Sequence, residues 1–169
     1  ARAVMLPFAT GSDLDNLARV GTNSSITADS VSVRATQPGS TVNTWQARAL
    51  AGAVSSGDGI GGSISVNYLD VTTLAEVQGG ATLTATVGDV AVAAKSHNEL
   101  QNIAGGAGLS IGDSGTGVGV AVAVNVLINP TDDPVTDPHG LYTGARIGTN
   151  ASLEAQAGSV SVSADASLV

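Results

Sequence analysis

The sequence predicts an all-β chain, specifically a right-handed parallel β-helix (β-solenoid) with about three coils per 57-residue unit. Three observations carry that expectation. First, the chain repeats itself. Ala18-Arg19-Val20-Gly21-Thr22-Asn23-Ser24-Ser25-Ile26 returns as Ala145-Arg146-Ile147-Gly148-Thr149-Asn150-Ala151-Ser152-Leu153, and both copies lead into Ser-Val-Ser-Val, at 30–33 and 159–162. A weaker copy runs through Ala75-Glu76-Val77, Thr82-Leu83-Thr84-Ala85 and Asp89-Val90-Ala91-Val92. Self-similarity at a fixed spacing marks stacked repeat architectures. Second, apolar residues alternate with small or polar ones at the period of two that strands require. Third, glycine clusters punctuate these runs, and aromatics are only 2% of the chain. A core of Val, Ala, Leu and Ile without large rings suits narrow, regularly stacked layers.

Taken in order, residues 1–17 read as the end of a preceding repeat unit, with Ala3-Val4-Met5-Leu6 as its tail. Unit 1 is 18–74, unit 2 is 75–144 and the start of unit 3 is 145–169. The unit starts are Ala18, Ala75 and Ala145, so the second interval is the longer. The difference has a visible source, an inserted loop over 129–142 that is rich in Asp and Pro. Stacked repeats tolerate such insertions. In unit 1, Val31 and Val33 alternate with Ser30 and Ser32. Gln46–Val54 and Ala94–Ile103 carry the most helical character, but strand or turn remains the favoured reading, because propensity is a weak prior. Glycine breaks follow at 57–62, 79–80, 105–108 and 112–117. In unit 2, Val90 and Val92, then Val118, Val120, Val122 and Val124, are expected to face a core. Gly119, Ala121 and Ala123 would then form a smooth outer strip, open to another rod or covered by the loop. Ser65-Val66-Asn67 matches Ala123-Val124-Asn125 as a shared unit ending. Division of unit 1 into three equal turns gives coils of roughly 20 residues, a usual length for one solenoid repeat. Nine coils at ~4.8 Å spacing would make a rod on the order of 40 Å long.

Composition narrows the function classes. Fourteen acids face six Lys and Arg, for a net charge of −8, so no basic patch exists to neutralise phosphates, and nucleic acid is not an expected partner. No Cys is present, which excludes a disulfide scaffold and thiolate metal sites. Neither a signal peptide nor a membrane-spanning helix is expected; the apolar run 118–128 is interrupted by Gly119 and Asn125 and is too short to span. The chain begins and ends within the repeat pattern, as a fragment of a longer protein would.

Residues 117–126 (GVGVAVAVNV), Ala145-Arg146-Ile147-Gly148, and the run from Leu153 to Ala164 together resemble the repeats of very large bacterial secreted adhesins, of the filamentous-haemagglutinin-like and leukotoxin-type filamentous kinds. The resemblance covers about residues 18–169. It implies a non-catalytic structural and adhesive β-solenoid stalk at the cell surface or in an extracellular matrix, filament-forming and associated with biofilm. Its implied partners are further copies, end-to-end or side-by-side, and surface glycans. A ten-residue stretch, 9–18, also resembles part of phage baseplate J proteins, but the repeat register accounts for it. Two rival architectures remain open: a polysaccharide-binding or polysaccharide-cleaving solenoid, and an array of β-sandwich modules.

Chemistry-bearing motifs are sparse, and no cofactor is expected apart from calcium. Asp132, Asp133 and Asp137, beside His139, are candidate calcium ligands, since Ca²⁺ takes several oxygens from a flexible loop. A solvated acidic loop stiffened by Pro130, Pro134 and Pro138 is the competing reading, and the spacing fits no EF-hand. The Gly-Asp pairs at 57–58, 88–89 and 112–113 read as corner turns. Gly108-Leu109-Ser110-Ile111-Gly112 matches G-x-S-x-G, but a nucleophile elbow needs a following helix and a His–acid pair. Gly115–Gly119 lacks the dinucleotide-binding spacing. The row Thr82, Thr84, Thr86 would bind ice only if repeated on successive coils, and its equivalents are Ser25/Thr27 and Ser152/Glu154. Asn23 and Asn150 open N-glycosylation sequons by letter, but a turn Asn in the left-handed region is the simpler account. Trp45 reads as a packed aromatic. Arg19 and Arg146 recur with the repeat, which favours stacking over catalysis.

Overall fold

The computed structural model describes residues 2–5, 8–10, 14–36, 42–127 and 141–169, with side chains described from residue 15 onward. These residues form fourteen strands and no helix: β1 (Arg2–Met5), β2 (Phe8–Thr10), β3 (Leu14–Val20), β4 (Ser25–Ala28), β5 (Val31–Thr36), β6 (Asn43–Ser55), β7 (Gly59–Leu69), β8 (Val71–Val77), β9 (Thr82–Ala85), β10 (Val90–Ser110), β11 (Gly117–Leu127), β12 (Leu141–Ile147), β13 (Ser152–Ala155) and β14 (Val160–Leu168). Both stretches with helical character are strands, lying in β6 and β10. Alternating burial on a sheet outweighs the helix preference of their Ala, Leu and Gln.

The strands make four parallel sheets. One holds β1 and β2, then β7, then β11. The second runs β3-β8-β12 and the third β4-β9-β13. The fourth holds β5 and β6 along one edge of β10, with β14 on the other. Each sheet therefore takes strands from three successive tiers of chain: β1–β6, β7–β10 and β11–β14. Paired residues are far apart in sequence: Asn43 and Asn98 are 55 residues apart, and His97 and Ser167 are 70 residues apart. The expected short coil, three to a unit, is thus corrected: one repeat supplies one tier. Period-two patterning marks strands but not which of them pair.

The sequence repeats coincide with the spatial register. Ala18, Ala75 and Ala145 are neighbours, as are Ile26, Leu83 and Leu153. Val31, Val90 and Val160 also align. The offset between partners is larger at β8–β12 than at β7–β11, so the extra residues lie between Leu127 and Leu141. Leu141 and Tyr142, assigned above to the loop, begin β12 instead. A second length difference lies in the first repeat: the path from Val31 to Asn43 is longer than the path between their partners, Val90 to Asn98. The strand beside Val66-Asn67 is β2 at Phe8-Ala9, whereas Ala3–Met5 lie beside Gly61–Ser63.

The main core lies between the second, third and fourth sheets. Val31, Val33, Val77, Leu83, Val90 and Val92 fill it, with Ala75, Ala81, Ala85 and Ala94 where space narrows. In this region the inward valines were legible from alternation alone: β5 reads buried-exposed throughout.

Corners stack as the strands do. Backbone bonds close the turns Gly21–Ser24, Gln78–Ala81 and Gly148–Ala151, at 3.4, 3.3 and 3.2 Å. The third residue of each has positive φ: Asn23 at 55°, Gly80 at 71° and Asn150 at 60°. Asn tolerates that region, and Gly occupies it without steric cost. The sequon asparagines are therefore corner residues, as expected. A Cβ at Gly80 would strike the Asn23 side-chain oxygen of the tier beside it. We expect Gly80→Ala to cost about 2–3 kcal/mol, combining left-handed strain with that contact. Chemical denaturation would read the loss; a shift under about 0.5 kcal/mol would contradict this account of the corner.

The Gly-Asp pairs also act at corners. Asp58 accepts a bond from the Thr116 amide at 2.9 Å, and Asp89 from the Ser159 amide at 2.8 Å, each donor in the following tier.

Candidate functional site

The residues proposed for calcium, Asp132, Asp133 and Asp137, lie outside the described residues, as does His139. Among the described residues no group of three or more His, Cys, Asp or Glu side chains is placed to hold a metal. Ser110 ends β10 and leads through a turn into strand β11, not into a helix, and its buried hydroxyl has no hydrogen-bond partner among the described residues. That is not the geometry of a nucleophile elbow. The His97 ring instead meets its register neighbour Ser167 at 2.8 Å.

Charged residues pair across tiers in the same way. Glu76, with its side chain 4% exposed, accepts from Arg19 Nε at 2.7 Å, and Arg146 occupies the register position on its other side. Burial of a lone carboxylate is costly, and the ion pair with Arg19 offsets that cost. Lys95 and Asp165, also register partners, meet at 3.0 Å on the surface. Thr82 and Thr84 lie beside Ser25/Thr27 and Ser152/Glu154, so the threonine row does not repeat between tiers.

The distinctive region is an arm made by β6, β7, β11 and the second half of β10. Its inner residues are small: Ala47, Ala49 and Ala53 on β6, and Gly59, Gly61, Ser63 and Ser65 on β7. Here two sheets come closer than the usual ~10 Å. A Cβ on Gly61 would fall 2.9 Å from the Ala107 carbonyl carbon and 3.1 Å from the Ala51 oxygen. One on Gly119 would fall 2.7 Å from the Gly106 carbonyl carbon. This corrects the expected orientation of β11. Gly119, the partner of buried Gly61, turns inward, and Val118, Val120, Val122, Val124 and Val126 form the outer row. The outer row continues onto β7 as Ile60, Ile64 and Tyr68, all substantially exposed. On the opposite side of the arm, Leu50, Val54, Ile103 and Leu109 are likewise exposed. Strict small-residue alternation on both sides of Gly57-Asp58, from Ala47 to Ser65, was the signal for this arm in the sequence.

Inside the arm, amides stack on their register partners. Asn67 Nδ2 donates to Asn125 Oδ1 at 3.2 Å and to the Gln101 carbonyl at 3.1 Å. Asn102 Nδ2 donates to the Val124 carbonyl at 2.7 Å and to Asn125 Oδ1 at 3.1 Å. On the outer side Gln46 Nε2 reaches Gln101 Oε1 at 2.6 Å. Like-on-like amide ladders are a stabilising device of stacked parallel strands. Trp45 is half-buried, and its indole N–H points to Asn98 Oδ1 at 3.5 Å, consistent with a packed ring.

No family model, no curated protein and no solved structure matches this chain. Its functional reading therefore rests on its own geometry: in-register stacking and aliphatic outer faces. No helix among the described residues is long and apolar enough to cross a membrane.

Proposed function

We propose that this chain is a non-catalytic structural and adhesive segment of a large bacterial cell-surface or extracellular-matrix protein. It extends as a right-handed β-solenoid, one turn per repeat, and assembles into filaments of the kind that build biofilm. The reading is carried by one observation: successive repeats lie side by side with like residues on like, from Ala18-Ala75-Ala145 to Val31-Val90-Val160. In such an array each added repeat continues the backbone ladder and buries another aliphatic layer, so length is gained by repetition. The function is mechanical reach. The exposed aliphatic rows of the arm supply lateral contact with further copies, and surface glycans are the external partner.

Cryo-electron microscopy with and without EDTA tests this. We expect rods with a stacking repeat near ~4.8 Å, unchanged by EDTA. Compact particles with a closed cleft would overturn the stalk, and dissolution of the rods by EDTA would return calcium to the acidic loop.

A further inference from the structure

We infer that the two outer faces of the arm fit each other, so that arms of neighbouring copies stack by translation, the β7–β11 face of one seated on the β6–β10 face of the next. This rests on the assembly reading above and specifies its lateral contact.

The exposure is a property of the faces and not of the ends of the stack. β7 has strands on both of its edges, β1 and β2 on one and β11 on the other. Even so, its outward Ile60, Ile64 and Tyr68 are 41%, 40% and 37% exposed. The interior of the arm is lined mainly by Gly, Ala, Ser and Asn, and its larger aliphatic side chains point outward on both sides. Contiguous apolar surface of this kind marks a contact site. Charge is nearly absent as well. β7, β11 and β10 beyond Glu99 contain no charged residue, and β6 contains only Arg48. In a chain of net charge −8, such faces let two copies approach with little like-charge repulsion. A second copy is therefore the occupant.

The relief of the two faces decides which meets which. Across the interior, Gly59 lies against Ala53 and Gly61 against Ala51. One step along each strand, the outward residues fall into line: Ile60 stands level with Gly52, and Gly62 with Leu50. On the β6–β10 face, Gly52 and its register partner Ala107 leave a shallow groove, where a Cβ on Gly52 would have the Ala107 oxygen as nearest atom, at 4.0 Å. Leu50 rises beside the groove, over Gly105. On the β7–β11 face the sizes are reversed. Ile60 and its partner Val118 stand out, and Gly62 is the gap. A copy moved across the arm without rotation thus sets Ile60 against Gly52 and Leu50 against Gly62. Such a contact is heterologous and repeats without closing. A strand of eleven residues, the length of β7, gives each tier a strip of about 36 by 4.8 Å on each face. An interface of about 1,000 Å² then takes roughly three tiers, so lateral contact strengthens as rods lengthen.

Cryo-electron microscopy of the full chain tests this by counting rods that lie side by side at equal protein concentration. Gly52→Leu adds apolar surface, which would strengthen a merely greasy contact. We expect instead at least tenfold fewer lateral pairs, because the groove is filled. Ile60→Ala should lower the count at least threefold. Both substitutions are at exposed positions, so single rods with the ~4.8 Å repeat should persist. Rods of the two variants, formed separately and then mixed, should pair to within twofold of the parent, since the filled groove of one meets the shortened side chain of the other. Unchanged or increased pairing by Gly52→Leu, or no recovery on mixing, would overturn the fit. Parent rods that stay single would overturn this contact and leave the stalk standing; absence of rods would overturn both. Parent rods that stay single and coat phosphatidylcholine vesicles would overturn it in favour of a lipid surface as occupant.

Discussion

Gly61→Ala is expected to destabilise the protein by about 3 kcal/mol, while Gly62→Ala, one residue on, changes stability by less than about 0.5 kcal/mol. A single added methyl ordinarily costs about 1–3 kcal/mol in a packed interior, because neighbouring side chains shift to admit it. At Gly61 nothing flexible is available to shift. The atoms in the way are the Ala107 carbonyl and the Ala51 oxygen, both backbone, on two strands of the opposing sheet. Relief requires the two sheets to part, which would also disturb the bond from Ser63 Oγ to the Gly105 carbonyl and the amide ladder at Asn67. Gly62 points the other way, and its nearest atom is the Val120 oxygen at 3.8 Å. There the methyl meets ordinary contact, and the lower chain entropy of Ala in a strand offsets any cost. Urea unfolding of the two variants beside the parent gives both values. Equal effects at the two positions would mean that the arm is not closed face to face as described.

The second large effect is expected from Leu83→Ala, at about 3–4 kcal/mol. Leu83 is completely buried at the centre of the aliphatic core, in the middle strand of the third sheet. Its register neighbours are Ile26 and Leu153. Removal of a buried leucine loses its transfer energy and leaves a cavity, and two flanking β-strands pinned by backbone bonds cannot collapse into it. The same truncation at Ile26, which is 37% exposed, should cost less than half as much, because that side chain already meets water. The contrast also reports on assembly. If copies stack on their open ends, the outer-tier costs should rise toward the Leu83 value as protein concentration increases. A flat concentration dependence would argue against end-to-end association of this chain.

Much of the architecture could be read from residues alone. The alternation in Val31–Thr36 and Val90–Ala94 marks strands with a defined inner face. The copies beginning at Ala18, Ala75 and Ala145 align in the sequence as they do in space. Parallel stacking keeps like beside like, so a repeat in sequence becomes a register in the sheet. The positive-φ corners at Asn23 and Asn150 follow from local backbone chemistry, whereas the amides that Asp58 and Asp89 accept from, those of Thr116 and Ser159, are brought to them by the stacking of tiers.

Two things were decided only by the tertiary structure. The first is how far apart in sequence the paired strands lie. Strand periodicity is the same whether a tier takes a third of a repeat or all of it, because partner choice depends on where corners bring the chain back. The second is the sign of the alternation in Gly117–Leu127. A strand of valine alternating with glycine and alanine fits either way round, and transfer energy favours valine inside. The opposing sheet reverses that preference. The two sheets lie too close for a Cβ at Gly106 or Gly108 on β10, or at Gly117 or Gly119 on β11, so only the small row can face inward, and the valines are left on the surface.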